Sequence, residues 1–308
     1  MSRHLDPDAA RLLARRNGPP LHTLTPEQAR STRSARTPAD RDDDVGTVEE
    51  LTLPLSGRAP AARRYLPGGA APPGTVVFFH GGGFVTGDLD SHDRQARMLC
   101  TRTGWAVVSI DYRLAPEHPF PAAVDDAVES VARIARDAGP VAVAGSSAGG
   151  NLAAGAARAL AGTPGAPVAQ LLVQPLLTDD PGLPARRDNA AAPGLDDATL
   201  RWYLRHYLGP RPGARRDPRF DLLAEPPPDG LAPAVVAVGG VDPLRDDGWS
   251  YARALATAGV EVVLHDHPRL PHGLWGMAGD VPAADRAAAA FCDAFTRLLH
   301  RSTDTEEH

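Results

Sequence analysis

One serine in this 308-residue chain stands in a pattern that favours nucleophilic chemistry. Ser147 has Gly145 two positions before it and Gly149 two positions after it, between an apolar run and a stretch of helical period. This G-x-S-x-G pattern is typical of a nucleophile elbow, a tight strand-to-helix turn that leaves no room for larger neighbours. Ser146 lacks such flanking, because alanines stand two positions away from it. Two alternatives are a small-residue helix N-terminus and a partial dinucleotide fingerprint, although the full G-x-G-x-x-G motif is absent.

A run of three glycines is a candidate for stabilising negative charge. It occupies 81–83 and follows His80 at the end of another apolar run. Because glycine has no Cβ, its backbone N–H can approach a ligand closely. Donors from Gly82 and Gly83, together with the N–H of Ala148, could surround the oxyanion of a tetrahedral intermediate. We interpret His80 as a structural residue that orients this loop. Taken alone, three glycines would be an ordinary turn.

A nucleophilic serine needs a general base, and the base needs an acid that orients it. Asp242 and His272 each come shortly after an apolar run that is predicted to be a strand. We therefore expect both at the same edge of the sheet as Ser147, and the chain order Ser, Asp, His is that of α/β hydrolases. His265 and His267 are competing bases that could also form a metal pair, but no third ligand is evident.

Alternating strands and helices must position these residues. Short apolar runs predict strands at 75–79, 105–110, 141–144, 168–173, 234–238 and 260–264. Stretches of helical period lie between or after them, at 91–103, 122–138, 148–161, 249–258 and 283–299. Strands that are apolar on both faces and alternate with helices predict a doubly wound α/β fold around a parallel sheet. An antiparallel hairpin at 48–66 is predicted at one edge.

Two segments depart from this alternation and predict a cap. About sixty residues separate two predicted strands around one helix at 197–208, which favours an inserted lid over a connector. On that helix, Trp202, Tyr203 and Tyr207 either pack the cap against the body or line an acyl or alcohol pocket. The predicted domains are an N-terminal cap segment at 1–45, a core at 46–174 and 234–302, a lid at 175–233 and a disordered tail at 303–308.

Composition excludes several kinds of chemistry. The chain contains no lysine, which excludes Schiff-base catalysis by lysine and the phosphate-binding loop that requires it. A net charge of −6 does not favour nucleic acid or an anionic membrane surface as a partner. Cys100 and Cys292 form neither a disulfide framework nor a metal spacing, and we expect buried free thiols. Since neither a signal peptide nor a membrane span is evident, we expect a cytoplasmic protein.

The chain resembles the hormone-sensitive-lipase-like bacterial esterases of the α/β-hydrolase superfamily. The matching motifs follow one another along most of the chain, at 80–84, 111–123, 145–150, 242–246 and 272–273. The resemblance implies Ser147 as nucleophile, His272 as base and Asp242 as the partner of the base. It also implies a mostly parallel eight-stranded sheet with a helical cap, and oxyanion donors at Gly82, Gly83 and Ala148. Members often carry Asp where this chain has Ser146, so the subfamily and the substrate stay open.

The implied activity is that of a serine carboxylesterase acting on small to medium esters through an acyl-enzyme. No metal or organic cofactor is implied, the partner is a small-molecule ester, and a homodimer is allowed. An acyltransferase, a dehydratase and a non-catalytic receptor are the alternatives on this fold. A retained Ser147 argues against the dehydratase, and a retained His272 argues against the receptor. Because a histidine base must be neutral to accept a proton, we expect activity to fall in acid.

Overall fold

An eight-stranded sheet runs through the centre of the computed structural model, which describes residues 4–15, 18–34 and 45–304. The strands are β1 (Thr47–Thr52), β2 (Ala61–Leu66), β3 (Thr75–Phe79), β4 (Ala106–Ile110), β5 (Val141–Ser146), β6 (Gln170–Val173), β7 (Ala234–Val241) and β8 (Val262–Pro271). Their order across the sheet is β1-β2-β4-β3-β5-β6-β7-β8. The β1–β2 and β2–β4 pairs are antiparallel, and every pair from β4 to β8 is parallel. The predicted fold class, a mostly parallel eight-stranded sheet, is confirmed.

Helices pack on both faces of the sheet and also form parts of the N-terminal segment and of the predicted lid. They are α1 (Pro7–Ala14), α2 (Pro26–Ser34), α3 (Asp93–Thr103), α4 (Ala122–Ala138), α5 (Ala148–Leu160), α6 (Pro184–Asp188), α7 (Asp197–Leu208), α8 (Arg245–Thr257) and α9 (Pro282–Asp304). Short 3₁₀ helices occur at Leu21–Thr23, Ala214–Arg216 and Trp275–Met277. In the described part of the chain, no helix combines the length and hydropathy needed to cross a membrane.

The core has two layers because each central strand buries both faces. In β3, Val77 and Phe79 pack with α4 and α5, whereas Val76 and Phe78 pack on the other face with α3 and α9. Successive side chains of a strand point to opposite faces, so a strand covered on both sides reads as a continuous apolar run. The two cysteines are buried in this second layer and form no disulfide, as expected.

Two strands extend further than their apolar runs. The strand β7 ends at Val241 rather than near 238, and β8 continues to Pro271 rather than stopping near 264. The last part of β8, from His265 onward, is mostly polar, yet pairing with β7 continues to its end, with a shift in register. Since β8 lies at the edge of the sheet, burial on both faces is not required there. The apolar run therefore underestimates the length of an edge strand.

The helices α2, α6, α8 and α9 differ from the prediction. The helix α8 begins at Arg245, four residues before the predicted start, and α2 and α6 were not predicted. The helix α9 continues to Asp304, so the predicted tail at 303–308 overlaps it by two residues. The rest of that tail lies outside the described residues, as do parts of the predicted N-terminal cap segment.

Candidate active site

The nucleophile elbow joins β5 to α5 in a strained backbone conformation. Ser147 has φ +56° and ψ −119°, which few residues with a side chain adopt. A Cβ on Gly145 would lie 2.1 Å from the carbonyl oxygen of Gly149, and one on Gly149 would lie 2.0 Å from that of Phe79. Both approaches are far shorter than a van der Waals contact. The two glycines therefore let the start of α5 lie directly against the end of β3.

Three predicted residues meet at the carboxyl end of the sheet. Ser147, Asp242 and His272 are each the first residue after a strand, following β5, β7 and β8. The Nε2 atom of His272 lies 3.0 Å from Ser147 Oγ, and its Nδ1 atom lies 2.9 Å from Asp242 Oδ2. Because an ionised carboxylate only accepts hydrogen bonds, we assign the imidazole proton to Nδ1. Nε2 is then free to accept the hydroxyl proton of Ser147.

Asp242 is fully buried and has its own backbone donor. The N–H of Leu244 donates to Asp242 Oδ1 at 2.8 Å, while Oδ2 faces His272. A buried charge needs such partners, since an unpaired carboxylate is costly in a low-dielectric interior. The competing imidazoles of His265 and His267 lie within β8, where burial lowers the pKa of both. Among the described residues, no cluster of three or more His, Cys, Asp or Glu side chains is placed to hold a metal ion.

The glycine loop presents backbone donors next to the elbow. Gly82 and Gly83 have positive φ angles of 127° and 61°, and the Gly82 carbonyl accepts hydrogen bonds from Val85 N and Thr86 N. The N–H of Gly81 donates to His92 Nε2 at 3.1 Å, which fixes the start of the loop. Within the described chain, the N–H groups of the three predicted oxyanion donors (Gly82, Gly83 and Ala148) donate to no protein acceptor. They are thus available to a ligand.

His80 belongs to the scaffold of this loop. It is fully buried, its Nδ1 lies 2.8 Å from the carbonyl oxygen of Gly81, and its ring stacks on Tyr112 at 4.3 Å. The Tyr112 hydroxyl donates to the His80 carbonyl at 2.8 Å. Burial raises the pKa of Tyr112 well above its usual range, so this hydroxyl stays a donor. These contacts agree with a structural role for His80.

A cavity of about 660 Å³ opens over Ser147 and His272. Its walls come from the glycine loop, the predicted lid and the N-terminal segment. Seven leucines contribute to its lining: Leu13, Leu21, Leu24, Leu176, Leu195, Leu200 and Leu244. The N-terminal wall is held by Arg30, which donates to the carbonyl oxygens of Val85 and Ala115 and pairs with Glu117. An open cavity of this size, lined by both apolar and polar groups, suits a small organic ligand.

The three aromatic residues of the lid helix have different places. Tyr203 lines the cavity, and its ring lies so close to Gly83 that a Cβ there would be 2.1 Å from it. Trp202 packs against Tyr203 and His206, and Tyr207 stacks on Phe84 at 3.8 Å. Within the described residues, the cavity lining includes neither Trp202 nor Tyr207. For those two, packing is the interpretation that fits, whereas Tyr203 is part of the cavity wall.

Two site residues were not predicted. His92 receives the N–H of Gly81, and Gln174 contacts both Asp242 and the segment around His272. No sequence signal marks His92, which lies in a polar turn. Gln174 has a weak one, because it is the first residue after β6, just as Ser147 is after β5. A polar residue directly after a buried parallel strand points to the same sheet edge.

Comparison with known proteins agrees with this geometry. A family model described as the alpha/beta hydrolase fold matches residues 76–276. Esterase LipI of Mycobacterium tuberculosis is 44% identical over 238 residues, covering 73% of each chain. An ethyl acetate hydrolase of Pseudomonas putida is 33% identical over 299 residues, covering 91% of this chain and 92% of its own. The two alignments together extend well beyond the catalytic motifs.

Solved structures lead to the same assignment. An esterase from Pyrobaculum calidifontis superposes with a TM-score of 0.87 at 30% identity, covering 96% of this chain and 99% of its own. A thermostable esterase from Pseudomonas putida superposes with a TM-score of 0.87 at 29% identity, covering 97% and 98%. The predicted resemblance is confirmed, and the chain belongs to the hormone-sensitive-lipase-like family of the α/β-hydrolase fold.

Proposed function

We propose that this protein is a serine carboxylesterase that cleaves small to medium esters through an acyl-enzyme on Ser147. Its relatives include an esterase and an ethyl acetate hydrolase, and ester hydrolysis is the activity that its family membership supports. One observation carries the assignment of roles. His272 bridges Ser147 Oγ at 3.0 Å and Asp242 Oδ2 at 2.9 Å, the arrangement that activates a serine hydroxyl.

The first half of the reaction transfers the acyl group to the enzyme. As Ser147 Oγ attacks the ester carbonyl, His272 Nε2 takes its proton, and Asp242 stabilises the imidazolium that forms. The carbonyl oxygen becomes an oxyanion, which accepts hydrogen bonds from the N–H groups of Gly82, Gly83 and Ala148. Loss of a single such donor typically reduces kcat about 10²–10³-fold. When the intermediate collapses, His272 gives its proton to the leaving alcohol.

The second half returns the enzyme to its starting state. Water enters in place of the alcohol, His272 removes its proton, and the oxygen attacks the acyl carbonyl. A second oxyanion collapses, releases the carboxylic acid and restores the Ser147 hydroxyl. The cavity of about 660 Å³ and its leucine lining support short to medium acyl and alcohol groups as substrates. A cytoplasmic location and a homodimer remain predictions.

A matched pair of serine variants tests the assignment. Ser147→Ala is expected to lower kcat/KM for p-nitrophenyl acetate and butyrate by at least about 10⁴-fold, because the nucleophile is gone. Ser146→Ala, its immediate neighbour, is expected to keep hydrolysis within a few-fold of wild type. Labelling by a fluorophosphonate should vanish only in Ser147→Ala. Substantial hydrolysis by Ser147→Ala would reject the acyl-enzyme. An added alcohol that diverts the acyl group from water would identify an acyltransferase instead.

A further inference from the structure

Gln174 occupies the position between the nucleophile and the catalytic acid along the edge of the sheet. It is the first residue after β6, and Ser147, Asp242 and His272 are the first residues after the adjoining parallel strands β5, β7 and β8. The four residues therefore stand side by side along one edge of the sheet. Gln174 is 2% exposed, so water does not compete for its amide.

The backbone of Gln174 is held in an uncommon conformation. Its φ is +48°, in the left-handed region that side chains disfavour, and its N–H donates to the carbonyl of Ala237 at 2.7 Å. A Cβ on Gly239 would lie only 2.6 Å from Gln174 Nε2, so that glycine leaves the space which the amide fills. Strain of this kind persists where surrounding contacts fix it, and it concentrates at functional sites.

Both ends of the Gln174 amide are satisfied by the catalytic segments. Nε2 donates to Asp242 Oδ2 at 2.6 Å and to the Pro271 carbonyl at 2.9 Å. Oε1 accepts the N–H of Gly273 at 2.8 Å and that of Leu274 at 2.9 Å. The partners fix which end is which, because the carboxylate and the carbonyl need donors and the two N–H groups need an acceptor.

We propose that Gln174 is a positioning residue that sets the catalytic acid and the catalytic base relative to each other. Its bonds to Pro271, Gly273 and Leu274 hold the backbone on both sides of His272. Its bond to Asp242 Oδ2 fixes the position of the oxygen that faces His272 Nδ1. Gln174 thus acts through Asp242 and His272 rather than on the substrate. This inference rests on the proposed function, in which His272 is the base.

Two substitutions separate positioning from simple packing. Gln174→Met keeps the length of the side chain but removes all four hydrogen bonds. Gln174→Glu keeps an acceptor for Gly273 and Leu274 and places a second carboxyl against Asp242. On the same strand, Gln170 is fully buried, and its Nε2 donates to the Ala232 carbonyl at 2.7 Å. Gln170 is the first residue of β6, so it lies at the other end of the strand from Gln174 and away from the catalytic residues. Gln170→Met is therefore the matched control.

The expected results are a loss in kcat and a distinctive pH profile. Gln174→Met should lower kcat for p-nitrophenyl butyrate about 10- to 100-fold with KM within about threefold, the range for losing a charge-assisted hydrogen bond. In Gln174→Glu the new carboxyl repels Asp242 when ionised and donates to it when protonated. Its kcat/KM relative to wild type should therefore be higher at pH 5.5 than at pH 8, and the same ratio for Gln174→Met should not rise. Gln170→Met should keep the kcat of wild type.

Three outcomes overturn the inference. They are a wild-type kcat for Gln174→Met, an equal loss of kcat in Gln170→Met, and a relative kcat/KM for Gln174→Glu that does not rise as the pH falls. Thermal unfolding identifies any variant that fails to fold. The comparison of Gln174→Glu at pH 5.5 and pH 8 uses the same protein preparation, so a difference in the folded fraction between preparations does not affect it. Activity in Ser147→Ala would instead reject the proposed function. An inactive Ser147→Ala beside a fully active Gln174→Met rejects the positioning role alone.

Discussion

At the scale of single residues, the site depends on glycines at positions where two backbone segments lie so close together that no side chain would fit between them. Gly149 is the clearest case, since the first turn of α5 lies against the Phe79 carbonyl at the end of β3. That contact brings the N–H of Ala148 and the glycine loop after β3 to the same side of Ser147. Gly155 lies in the same helix, yet a Cβ there would meet nothing closer than the Arg219 carbonyl oxygen at 3.8 Å.

These two glycines predict opposite effects of one substitution. Gly149→Ala should force α5 away from β3, destabilise the protein by about 2 kcal/mol or more and reduce kcat at least about tenfold. Gly155→Ala should raise the free energy of unfolding by about 0.5–1 kcal/mol, because alanine favours a helix interior, with kcat unchanged. Chemical denaturation and ester hydrolysis measure both. Equal stability changes in the two variants would contradict the role given to the close approach.

Single residues also show which parts of the site have a recognisable sequence pattern. Ser147 could be recognised because the strained elbow demands glycines at fixed offsets, and Asp242 and His272 because the chain order of the three is limited. Gln174 could not, since its importance comes from four hydrogen-bond partners that lie 68 to 100 residues further along the chain and meet it only after folding. Glutamine has no fixed chemical role that would single it out beforehand.

At the scale of elements, the lid helix α7 is tied to the glycine loop by hydroxyl groups. Thr86 Oγ1 donates its proton to the Gly82 carbonyl at 3.0 Å, so the Tyr203 hydroxyl must be the donor to Thr86, at 3.2 Å. One turn further along α7, the Tyr207 hydroxyl is buried and has no hydrogen-bond partner among the described residues. Of the two tyrosine hydroxyls on this helix, that of Tyr203 is hydrogen-bonded and that of Tyr207 is buried without a partner among the described residues.

Removing each hydroxyl should therefore have opposite consequences. Tyr203→Phe should lower the free energy of unfolding by about 1 kcal/mol and kcat by a few-fold, because the glycine loop loses a support. Tyr207→Phe should leave kcat unchanged and leave stability unchanged or up to about 1 kcal/mol higher, since an unpaired buried hydroxyl is removed. Thermal unfolding with hydrolysis of a p-nitrophenyl ester provides the measurement. A larger loss in Tyr207→Phe than in Tyr203→Phe would refute this account.

How accurately the elements could be predicted depends on how deeply they are buried. Strands such as β3, covered on both faces, and helices such as α4, with one apolar face, were located within one or two residues. The edge strand β8 and the short helix α6 were not, because neither needs a continuous apolar pattern. For α7 the sequence predicted the helix and its aromatic residues, but not which of them faces the cavity. That choice depends on how the helix lies on the glycine loop.

At the scale of the whole molecule, the predicted lid is fastened to the core beside the catalytic acid. Arg186 at the start of the lid donates to Asp247 Oδ1 at 2.9 Å and to the Pro243 carbonyl at 2.7 Å. Asp247 Oδ1 also accepts a hydrogen bond from the N–H of Leu177 at 3.0 Å. Both ends of the segment 177–186 are therefore bonded to the first turn of α8. Asp247 is completely buried, and burial raises its pKa to about 6 although Arg186 lowers it.

The stability lost when the Arg186–Asp247 pair is removed should depend on pH. A carboxyl whose pKa is higher in the folded protein than in the unfolded chain stabilises the fold when protonated, and that stability is lost as the pH rises through the folded pKa. Arg186→Met removes the cation that lowers the pKa of Asp247, and leaves a buried charge unpaired at alkaline pH. The expected cost is about 3–5 kcal/mol at pH 8 and clearly less at pH 5, where Asp247 takes up a proton. Urea denaturation at the two pH values measures it. The double variant Arg186→Met/Asp247→Asn has no charge to bury, so its loss of unfolding free energy should be nearly equal at the two pH values. If the stability lost in Arg186→Met does not increase with pH, the lid is held without this ion pair.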